Sequence, residues 1–166
     1  MEQYTTYYQS PVGVLRISGT EHFISAIHFE DEDKAHTRQA SDGTPPPLCI
    51  QAIEQLIEYF NGERRVFDFP IHQQGTGFQE KVWNELLNIR YGKTISYLDL
   101  SRKLGDVKAI RAAASANGRN NLAIVVPCHR VIGSKNDLVG YAGGLWRKKW
   151  LLDLENKVAN GVQMLF

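Results

Sequence analysis

The chain has 166 residues, of which 43% are hydrophobic, and its formal net charge is +1 at neutral pH. This length and composition are typical of a globular protein with one sizeable core or two small ones. No run approaches the roughly 18 apolar residues of a membrane span, and the opening MEQYTTYYQS lacks the basic and apolar regions of a signal peptide. We therefore expect a cytoplasmic protein with no membrane partner.

The charges are divided unevenly along the chain. Residues 1–75 hold 5 Lys and Arg against 11 Asp and Glu, whereas residues 76–166 hold 14 against 7. The basic second part is compatible with binding to a polyanion, although a basic surface is more often only solvated. The two cysteines, Cys49 and Cys128, lie far apart and lack metal-ligand spacing, so we expect free thiols and no bound metal.

The first part of the chain predicts a small α/β domain over residues 1–75. Its strand-like segments are residues 3–8, 12–18 and 23–29. The Gly-Thr-Pro-Pro-Pro run at 43–47 predicts a loop, because proline neither continues a helix nor pairs within a central strand. Apolar residues then recur at helical spacing from Ile50 to Phe60. The domain should therefore combine a short antiparallel sheet with one helix.

The second part, residues 76–166, predicts a mainly helical domain. Thr76 and Gln79 have the spacing of a capping box at the start of a helix. Ser96 can cap a further short helix, a glycine turn follows, and residues 108–118 predict another helix. This order is the outline of a helix-turn-helix. The same arrangement of two helices is equally common with a purely structural role. The predicted fold class of the whole chain is α+β, with a winged helix-turn-helix in the second domain.

The helix predicted at residues 108–118 is nearly all alanine, and Arg111 is the long cation on its surface. A helix that reads base edges in the major groove carries several long polar side chains. A surface of small residues with one long cation favours insertion into a narrow groove and sequence-independent binding to DNA. Close packing of two helices explains the alanines equally well.

The stretch VVPCHRV at 125–131 places a cysteine directly after an apolar run. Residues 122–126 predict a short buried strand, and Pro127 removes a backbone donor where that strand must end. Cys128 should then lie at the edge of a core in an extended segment, where successive side chains point to opposite faces. Considered alone, a cysteine in such a place is most often an inert buried thiol.

The wider pattern resembles a known family. PCHRV at 127–131, with NGRNN at 117–121 before it and GYAGGLWRKKWLLDLE at 140–155 after it, closely resembles the O6-alkylguanine-DNA alkyltransferases, or methylated-DNA-protein cysteine methyltransferases. The first half of the chain fits that family's variable domain in length and element order only. The resemblance implies DNA repair by direct damage reversal, with transfer of the alkyl group from O6-alkylguanine, and from O4-alkylthymine, to a cysteine of the protein. It also implies that a monomer binds alkylated double-stranded DNA through the minor groove and flips the guanine.

The resemblance implies a role for each matching residue of the catalytic site. Cys128 matches the nucleophile, His129 the base that acts on it through a bridging water, and Glu155 the carboxylate that orients the histidine. A base is required because a free cysteine, with a pKa of about 8.5, is only a few per cent thiolate at neutral pH. Asn120 matches the asparagine that braces the loop ahead of the nucleophile.

The resemblance also implies a set of residues that bind DNA. Tyr97 matches the tyrosine that serves N3 of the base and helps to rotate the nucleotide, and Arg111 matches the arginine that fills the gap in the duplex. The implied base pocket comprises Val131, Tyr141, Ala142 and Gly143. Asn121 stands where the family commonly has proline, which relaxes the turn. The cysteine and histidine ligands of family members with an N-terminal metal are absent here, so we expect no zinc.

Three other classes of protein use parts of this pattern. A cysteine hydrolase would use the same cysteine, histidine and glutamate with an oxyanion site and turnover, but it leaves the alanine-rich helix and Arg111 unexplained. A non-catalytic binder of alkylated guanine would lack Cys128, and a regulator that reads sequence would need long polar side chains on its recognition helix. Alkyl transfer to sulfur leaves a thioether, which offers water no good leaving group. Each molecule should therefore act once, without a cofactor.

Overall fold

The computed structural model describes residues 2–30 and 43–161 of the chain. It contains two compact units: the first comprises the chain up to residue 73 together with residues 121–123, and the second comprises residues 74–120 and the chain from 124 onward. The strands of the first unit and the helices of the second confirm the predicted α+β class. The predicted domain boundary after residue 75 stays a prediction.

The first unit is built on a three-stranded antiparallel sheet in the order β1, β2, β3. Its strands are β1 (Tyr4–Ser10), β2 (Gly13–Gly19) and β3 (Ile24–Phe29). They confirm the three predicted strand segments to within two residues at each end. The hairpin between β1 and β2 closes where the Ser10 hydroxyl donates to the Gly13 carbonyl at 2.6 Å, and Gly13 adopts a φ of 103° that glycine reaches at no steric cost.

The helix α1 (Pro47–Phe60) packs on all three strands of this sheet. It begins at Pro47, inside the run predicted to be a loop, because proline is well tolerated at the first helical position, where its missing N–H has no acceptor. Fully buried apolar side chains from the sheet and the helix form the core of the unit, among them Leu15, Ile17, Ile27, Leu56 and Tyr59.

Residues 121–123 lie along β3 in the same unit. The Ile27 amide donates to the Asn121 carbonyl at 2.8 Å, and the Ala123 amide donates to the Ile27 carbonyl at 3.1 Å. The strand predicted over residues 122–126 is wrong, because only Leu122 forms a bridge and the chain then turns. Ile124 has a φ of 72°, a left-handed conformation that a β-branched residue rarely adopts and that ends a strand. Burial of the apolar run is nevertheless confirmed.

The second unit contains four helices and a short parallel sheet among its described residues. These elements are α2 (Gly77–Leu86), β4 (Ile95–Ser96), α3 (Tyr97–Lys103), α4 (Ile110–Gly118), β5 (Val131–Ile132) and α5 (Leu145–Asn160). The predicted capping box of α2 is present: the Thr76 hydroxyl accepts from the Gln79 amide at 3.1 Å, and the Gln79 side chain accepts from the Thr76 amide at 3.0 Å. The Trp83 indole donates to the Ala116 carbonyl at 2.9 Å and ties α2 to α4.

The predicted order of helix, glycine turn and helix is confirmed in α3 and α4. Gly105 makes the turn with a φ of 88°, and a single turn of 3-10 helix precedes α4. The inner face of α4 buries Ala113, Ala116 and Asn117. Its outer face exposes Arg111, Ala112, Ser115 and Gly118. The alanines therefore serve helix packing and also leave an exposed surface on which Arg111 is the long side chain.

The parallel pairing of β4 with β5 places the cysteine next to the helix-turn-helix. Ile95 lies opposite Val131, and Ser96 lies opposite Ile132. Because β4 leads directly into Tyr97 of α3, and β5 directly follows the Cys128 segment, this pairing brings Tyr97 and Cys128 into one region of the unit.

Neither a membrane-spanning helix nor a cluster of possible metal ligands occurs among the described residues. Within residues 2–30 and 43–161, no helix combines the length and apolar character that crossing a membrane requires. The same ranges contain no group of three or more His, Cys, Asp and Glu side chains that could hold a metal ion.

Candidate active site

Cys128 opens a single turn of 3-10 helix that runs from Cys128 to Arg130 and leads into β5. The prediction of an extended segment here is therefore wrong. The turn closes because the Cys128 amide donates to the Val126 carbonyl at 2.8 Å and the Arg130 amide donates to the Pro127 carbonyl at 3.0 Å. With three residues per turn, neighbouring side chains point about 120° apart. The side chains of Cys128 and His129 therefore point in different directions because the segment is a turn, and not because it is a strand.

His129 and Glu155 form a buried pair, with 0% and 1% of their surfaces exposed. His129 Nε2 lies 2.7 Å from Glu155 Oε2. Burial raises the pKa of Glu155, but its interactions with His129 and Arg130 outweigh burial and bring that pKa down to about 2. The carboxylate is therefore ionised, so Nε2 carries the proton and donates it.

The second ring nitrogen of His129 is the available proton acceptor. Its Nδ1 atom is buried and has no hydrogen-bond partner among the described residues. Burial lowers the pKa of His129, and this effect, together with the smaller effects of the cations Arg130 and Lys148, outweighs the rise caused by the charge and hydrogen bond of Glu155. The imidazole is therefore neutral at neutral pH, with an unprotonated Nδ1 that can act as a base.

Two asparagines hold the backbone around the cysteine. Asn120 Nδ2 donates to the Val126 carbonyl at 2.8 Å, which is a geometry suited to the bracing implied for it. Asn117 Nδ2, on α4, donates to the Cys128 carbonyl at 3.3 Å. Burial raises the pKa of the Cys128 thiol, while Asn120 and the charge of Lys148 lower it only in part. The thiol therefore needs a base before it can act as a nucleophile.

Tyr97 begins α3, and the pairing of β4 with β5 brings it into the same region as Cys128. Its hydroxyl donates to the Val139 carbonyl at 3.2 Å. Burial raises the pKa of Tyr97, and Cys128 raises it further, so the phenol remains a protonated donor at neutral pH. Tyr141 is half-buried, and burial raises its pKa well above 10. Cys128 thus contributes to the raised pKa of both phenols, Tyr97 and Tyr141.

The remaining residues of the implied DNA-binding set lie in different environments. Val131 is fully buried at the start of β5. Gly143 is buried and accepts a hydrogen bond from Arg147 at 3.0 Å through its carbonyl, whereas Ala142 is exposed. Arg111 is exposed in the first turn of α4.

Comparison with known proteins gives consistent matches over most of the chain. The constitutive methylated-DNA--protein-cysteine methyltransferase of Bacillus subtilis is 43% identical over 159 residues, which cover 93% of this chain and 96% of that protein. The corresponding protein of Mycobacterium tuberculosis is 40% identical over 158 residues, covering 95% and 94%. Models of the 6-O-methylguanine DNA methyltransferase family match residues 77–157, as its DNA binding domain, and residues 3–73, as its ribonuclease-like domain. The chain belongs to this family.

Solved structures of the 6-O-methylguanine DNA methyltransferase family match the fold as well. The crystal structure of Mycobacterium tuberculosis OGT in complex with DNA has a TM-score of 0.81 and 40% identity, and the match covers 92% of both chains. The Mycobacterium tuberculosis O6-methylguanine methyltransferase has a TM-score of 0.82 and 36% identity over 97% of both chains. The family predicted from the PCHRV motif and the predicted methyltransferase class are therefore confirmed.

Two cations of the site, Arg130 and Lys148, are absent from the residues predicted from the sequence. Arg130 donates from Nε to Glu155 Oε1 at 2.7 Å, from Nη2 to Glu155 Oε2 at 3.1 Å and from Nη1 to the Ile89 carbonyl at 2.8 Å. Lys148 is fully buried. The helical periodicity of the sequence could have identified Lys148 as a buried residue. It falls on the same face of α5 as the buried residues Leu151, Leu152 and Glu155. A charged residue in such a stripe must be paired to be buried.

Proposed function

We propose that the chain repairs DNA by transferring the alkyl group of O6-alkylguanine, once and irreversibly, to the sulfur of Cys128. The observation that carries this proposal is the buried His129–Glu155 pair. Its neutral imidazole keeps Nδ1 as an acceptor, on the residue that follows a thiol in need of a base. Membership of the methyltransferase family supports the same chemistry.

The proposed reaction is an in-line displacement at the alkyl carbon. His129 Nδ1 takes the proton of the Cys128 thiol through a bridging water, and Glu155 stabilises the imidazolium that forms. The thiolate then forms a bond from sulfur to the alkyl carbon while the bond from that carbon to O6 breaks. Its electron pair stays on the purine. The Tyr97 hydroxyl stabilises the developing charge by exchanging its hydrogen bond to the Val139 carbonyl for one to N3.

The proposed substrate is alkylated double-stranded DNA, bound through its minor groove with the damaged base flipped out. The exposed face of α4 supports this mode, because small residues let the helix approach closely while Arg111 can occupy the position of the flipped nucleotide. Val131, Tyr141, Ala142 and Gly143 are proposed to line the base pocket. The proposal includes activity on O4-alkylthymine, monomeric action and a cytoplasmic location.

Mass spectrometry tests the proposed function directly. The intact protein is weighed before and after incubation with duplex DNA that carries O6-methylguanine, and the product is then mapped by peptide. We expect a gain of about 14 Da on the Cys128 peptide that saturates at one per molecule, because a thioether does not regenerate the thiolate. Tight binding without a mass change would instead indicate recognition alone, and repeated turnover of unmodified protein would indicate a hydrolase.

Replacement of Arg111 tests the proposed role of α4. In the Arg111→Ala variant, we expect methyl transfer from duplex DNA to fall about 10- to 100-fold, since opening the base stack costs a few kcal/mol, while transfer from a single strand changes about threefold or less. Single-turnover rates on both substrates measure the difference. Arg119→Ala is the matched control, because Arg119 is exposed at the end of the same helix. Equal losses on both substrates would contradict the role proposed for Arg111.

A further inference from the structure

Asn117 is the polar residue on the buried face of α4, where its neighbours are Ala113 and Ala116. Only 4% of its surface is exposed. Its Nδ2 atom donates to the Cys128 carbonyl at 3.3 Å. Its Oδ1 atom is buried and has no hydrogen-bond partner among the described residues. One half of this carboxamide is therefore used by the fold, while the other half is a buried acceptor without a donor.

The two ends of the Asn117 carboxamide are distinguished by their partner. A backbone carbonyl only accepts hydrogen bonds, so the atom that faces the Cys128 carbonyl must be nitrogen and the unpaired atom must be oxygen. Leaving a buried acceptor unpaired costs free energy, and an alanine at this position would remove that cost and favour the helix. A buried acceptor in such a place calls for a donor that arrives in another state of the protein.

Asn117 lies between two residues of the proposed reaction, Cys128 and Tyr97. Its nitrogen contacts the turn of Cys128, and its helix, α4, packs on α3, which begins at Tyr97. Burial raises the pKa of Tyr97, and a side-chain hydrogen bond with Asn117 lowers it in part. The unpaired oxygen therefore belongs to a side chain that adjoins both the phenol and the backbone of the cysteine.

The chemistry of the alkylated base identifies a donor for this oxygen. The 2-amino group is the N–H donor on the pairing edge of O6-alkylguanine, because alkylation of O6 leaves N1 unprotonated. This group is attached to C2, which lies between N3 and N1, and the next ring atom after N1 carries the alkylated oxygen. In the proposed reaction, N3 meets Tyr97 and the alkyl carbon meets Cys128. The 2-amino group then lies on the edge between these two residues, as Asn117 does.

We propose that Asn117 is a specificity-determining residue, whose Oδ1 atom accepts a hydrogen bond from the 2-amino group of the flipped O6-alkylguanine. This inference rests on the proposed function, because it names the alkylated base that the same site prefers. O4-alkylthymine has no N–H on its pairing edge, so it would leave Oδ1 buried and unpaired. A site built to hydrogen-bond an N–H group of its substrate rejects an analogue that lacks this group. Asn117 therefore favours alkylguanine over alkylthymine.

The test compares duplex DNA carrying O6-methylguanine with the same duplex carrying O6-methylhypoxanthine, which lacks only the 2-amino group. Single-turnover transfer rates on both duplexes give a preference for each protein. We expect the unsubstituted chain to prefer O6-methylguanine about 30-fold, and Asn117→Ala to reduce this preference to about threefold or less. Asn120→Ala is the matched control, because Asn120 also donates from a carboxamide to a backbone carbonyl before the cysteine, at 2.8 Å. It should slow transfer from both bases and keep the preference within about twofold.

The preference separates a role in reading the base from a role in bracing the Cys128 turn. Bracing alone would slow transfer from both bases equally, so an unchanged preference in Asn117→Ala overturns the proposal even where both rates fall. An equal loss of preference in Asn120→Ala overturns it as well. The unsubstituted chain can also overturn it by showing no preference, and that measurement needs no variant to fold.

Asn117→Asp separates the acceptor of the side chain from its donor. Aspartate keeps an acceptor oxygen but lacks the amide nitrogen that bonds to the Cys128 carbonyl. We expect slower transfer from both bases, with the preference for O6-methylguanine still about 10-fold or more. Loss of the preference to the level of Asn117→Ala would assign it to the nitrogen and overturn the proposal.

Binding distinguishes a failure of this proposal from a failure of the proposed function. Dissociation constants of Cys128→Ser for the two duplexes are compared with those of the double variant that also carries Asn117→Ala. We expect the single variant to bind the O6-methylguanine duplex about fivefold more tightly, and the double variant to bind both duplexes equally. Absence of methyl transfer by the unsubstituted chain would refute the proposed function, whereas equal affinities of Cys128→Ser for the two duplexes would refute the role of Asn117.

Discussion

Cys128→Ser is expected to lower the rate of methyl transfer by more than about 1000-fold while changing the affinity for alkylated duplex DNA by no more than about threefold. A serine hydroxyl at the same position remains protonated at neutral pH, and the neutral His129 is a far weaker match for it than for a thiol. The Cys128 side chain is buried, with only 7% of the residue exposed, so the substitution leaves the exposed face of α4 unchanged. Binding and chemistry should therefore separate.

Cys49→Ser is the matched control for this experiment. Cys49 is the other buried free thiol, in α1 of the first unit, and burial raises its pKa as well. We expect that variant to retain the transfer rate of the unsubstituted chain. Peptide mapping after reaction with methylated duplex and equilibrium binding to the same duplex measure the two effects. Methylation of the Cys128→Ser variant at any residue, at the unsubstituted rate, would rule out Cys128 as the acceptor.

Glu155→Gln should lower both stability and activity. The carboxylate accepts from His129 Nε2 and from two nitrogens of Arg130, and Glu155 is only 1% exposed. A neutral amide of similar size leaves the buried guanidinium without its counter-charge, a change that typically costs 3–5 kcal/mol, so we expect the free energy of unfolding to fall by about 3 kcal/mol. The imidazole also loses the acceptor that orients it, so transfer should slow about 100-fold.

The measurements are urea unfolding and single-turnover transfer, with Asp153→Asn as the control. Asp153 lies on the same helix and pairs with Lys149 in a partly exposed position, where an ion pair is worth about 0–1 kcal/mol. This control should therefore remain within about 1 kcal/mol of the unsubstituted chain. Equal stabilities of Glu155→Gln and Asp153→Asn would show that the buried carboxylate does not hold this site together.

The same carboxylate predicts how stability depends on pH. The pKa of Glu155 is lowered from 4.5 to about 2 on folding. Its contribution, about 3 kcal/mol, is thus fully present above pH 4.5 and is lost as the pH falls towards 2. The lowered pKa of His129 acts in the same direction, because below pH 6.5 the unfolded chain takes up a proton that the folded chain resists. The urea concentration at which half of the protein is unfolded should therefore decrease as the pH falls. This decrease should be less steep in the Glu155→Gln variant.

Local features were predictable because nearby residues determine them. The capping box at Thr76 and the serine cap at Ser96 each need only a side chain and a backbone amide three residues away. The strands of the first unit followed from apolar residues between turn-forming residues. Even so, α1 begins at Pro47 because proline suits the first position of a helix as well as it suits a loop.

The segment before the cysteine could not be predicted locally. The apolar run 122–126 has the composition of a strand, yet only Leu122 finds a partner, and the positive φ of Ile124 turns the chain towards the 3-10 turn of Cys128. The sequence correctly indicated that this run is buried. Whether a buried apolar run forms a strand depends on an available edge, and that edge, β3, lies about a hundred residues earlier in the chain.

The sequence by itself determined the family and the candidate residues, because motif order and side-chain chemistry do not depend on knowing the fold. Only the tertiary structure decided which of those groups interact. It buries Glu155 between His129 and Arg130, leaves Nδ1 of that histidine as the proton acceptor, and places Lys148 among three carbonyls. The physical reason is that hydrogen-bond partners and the pKa of a buried group depend on distance in space, and these groups come from segments far apart in the chain.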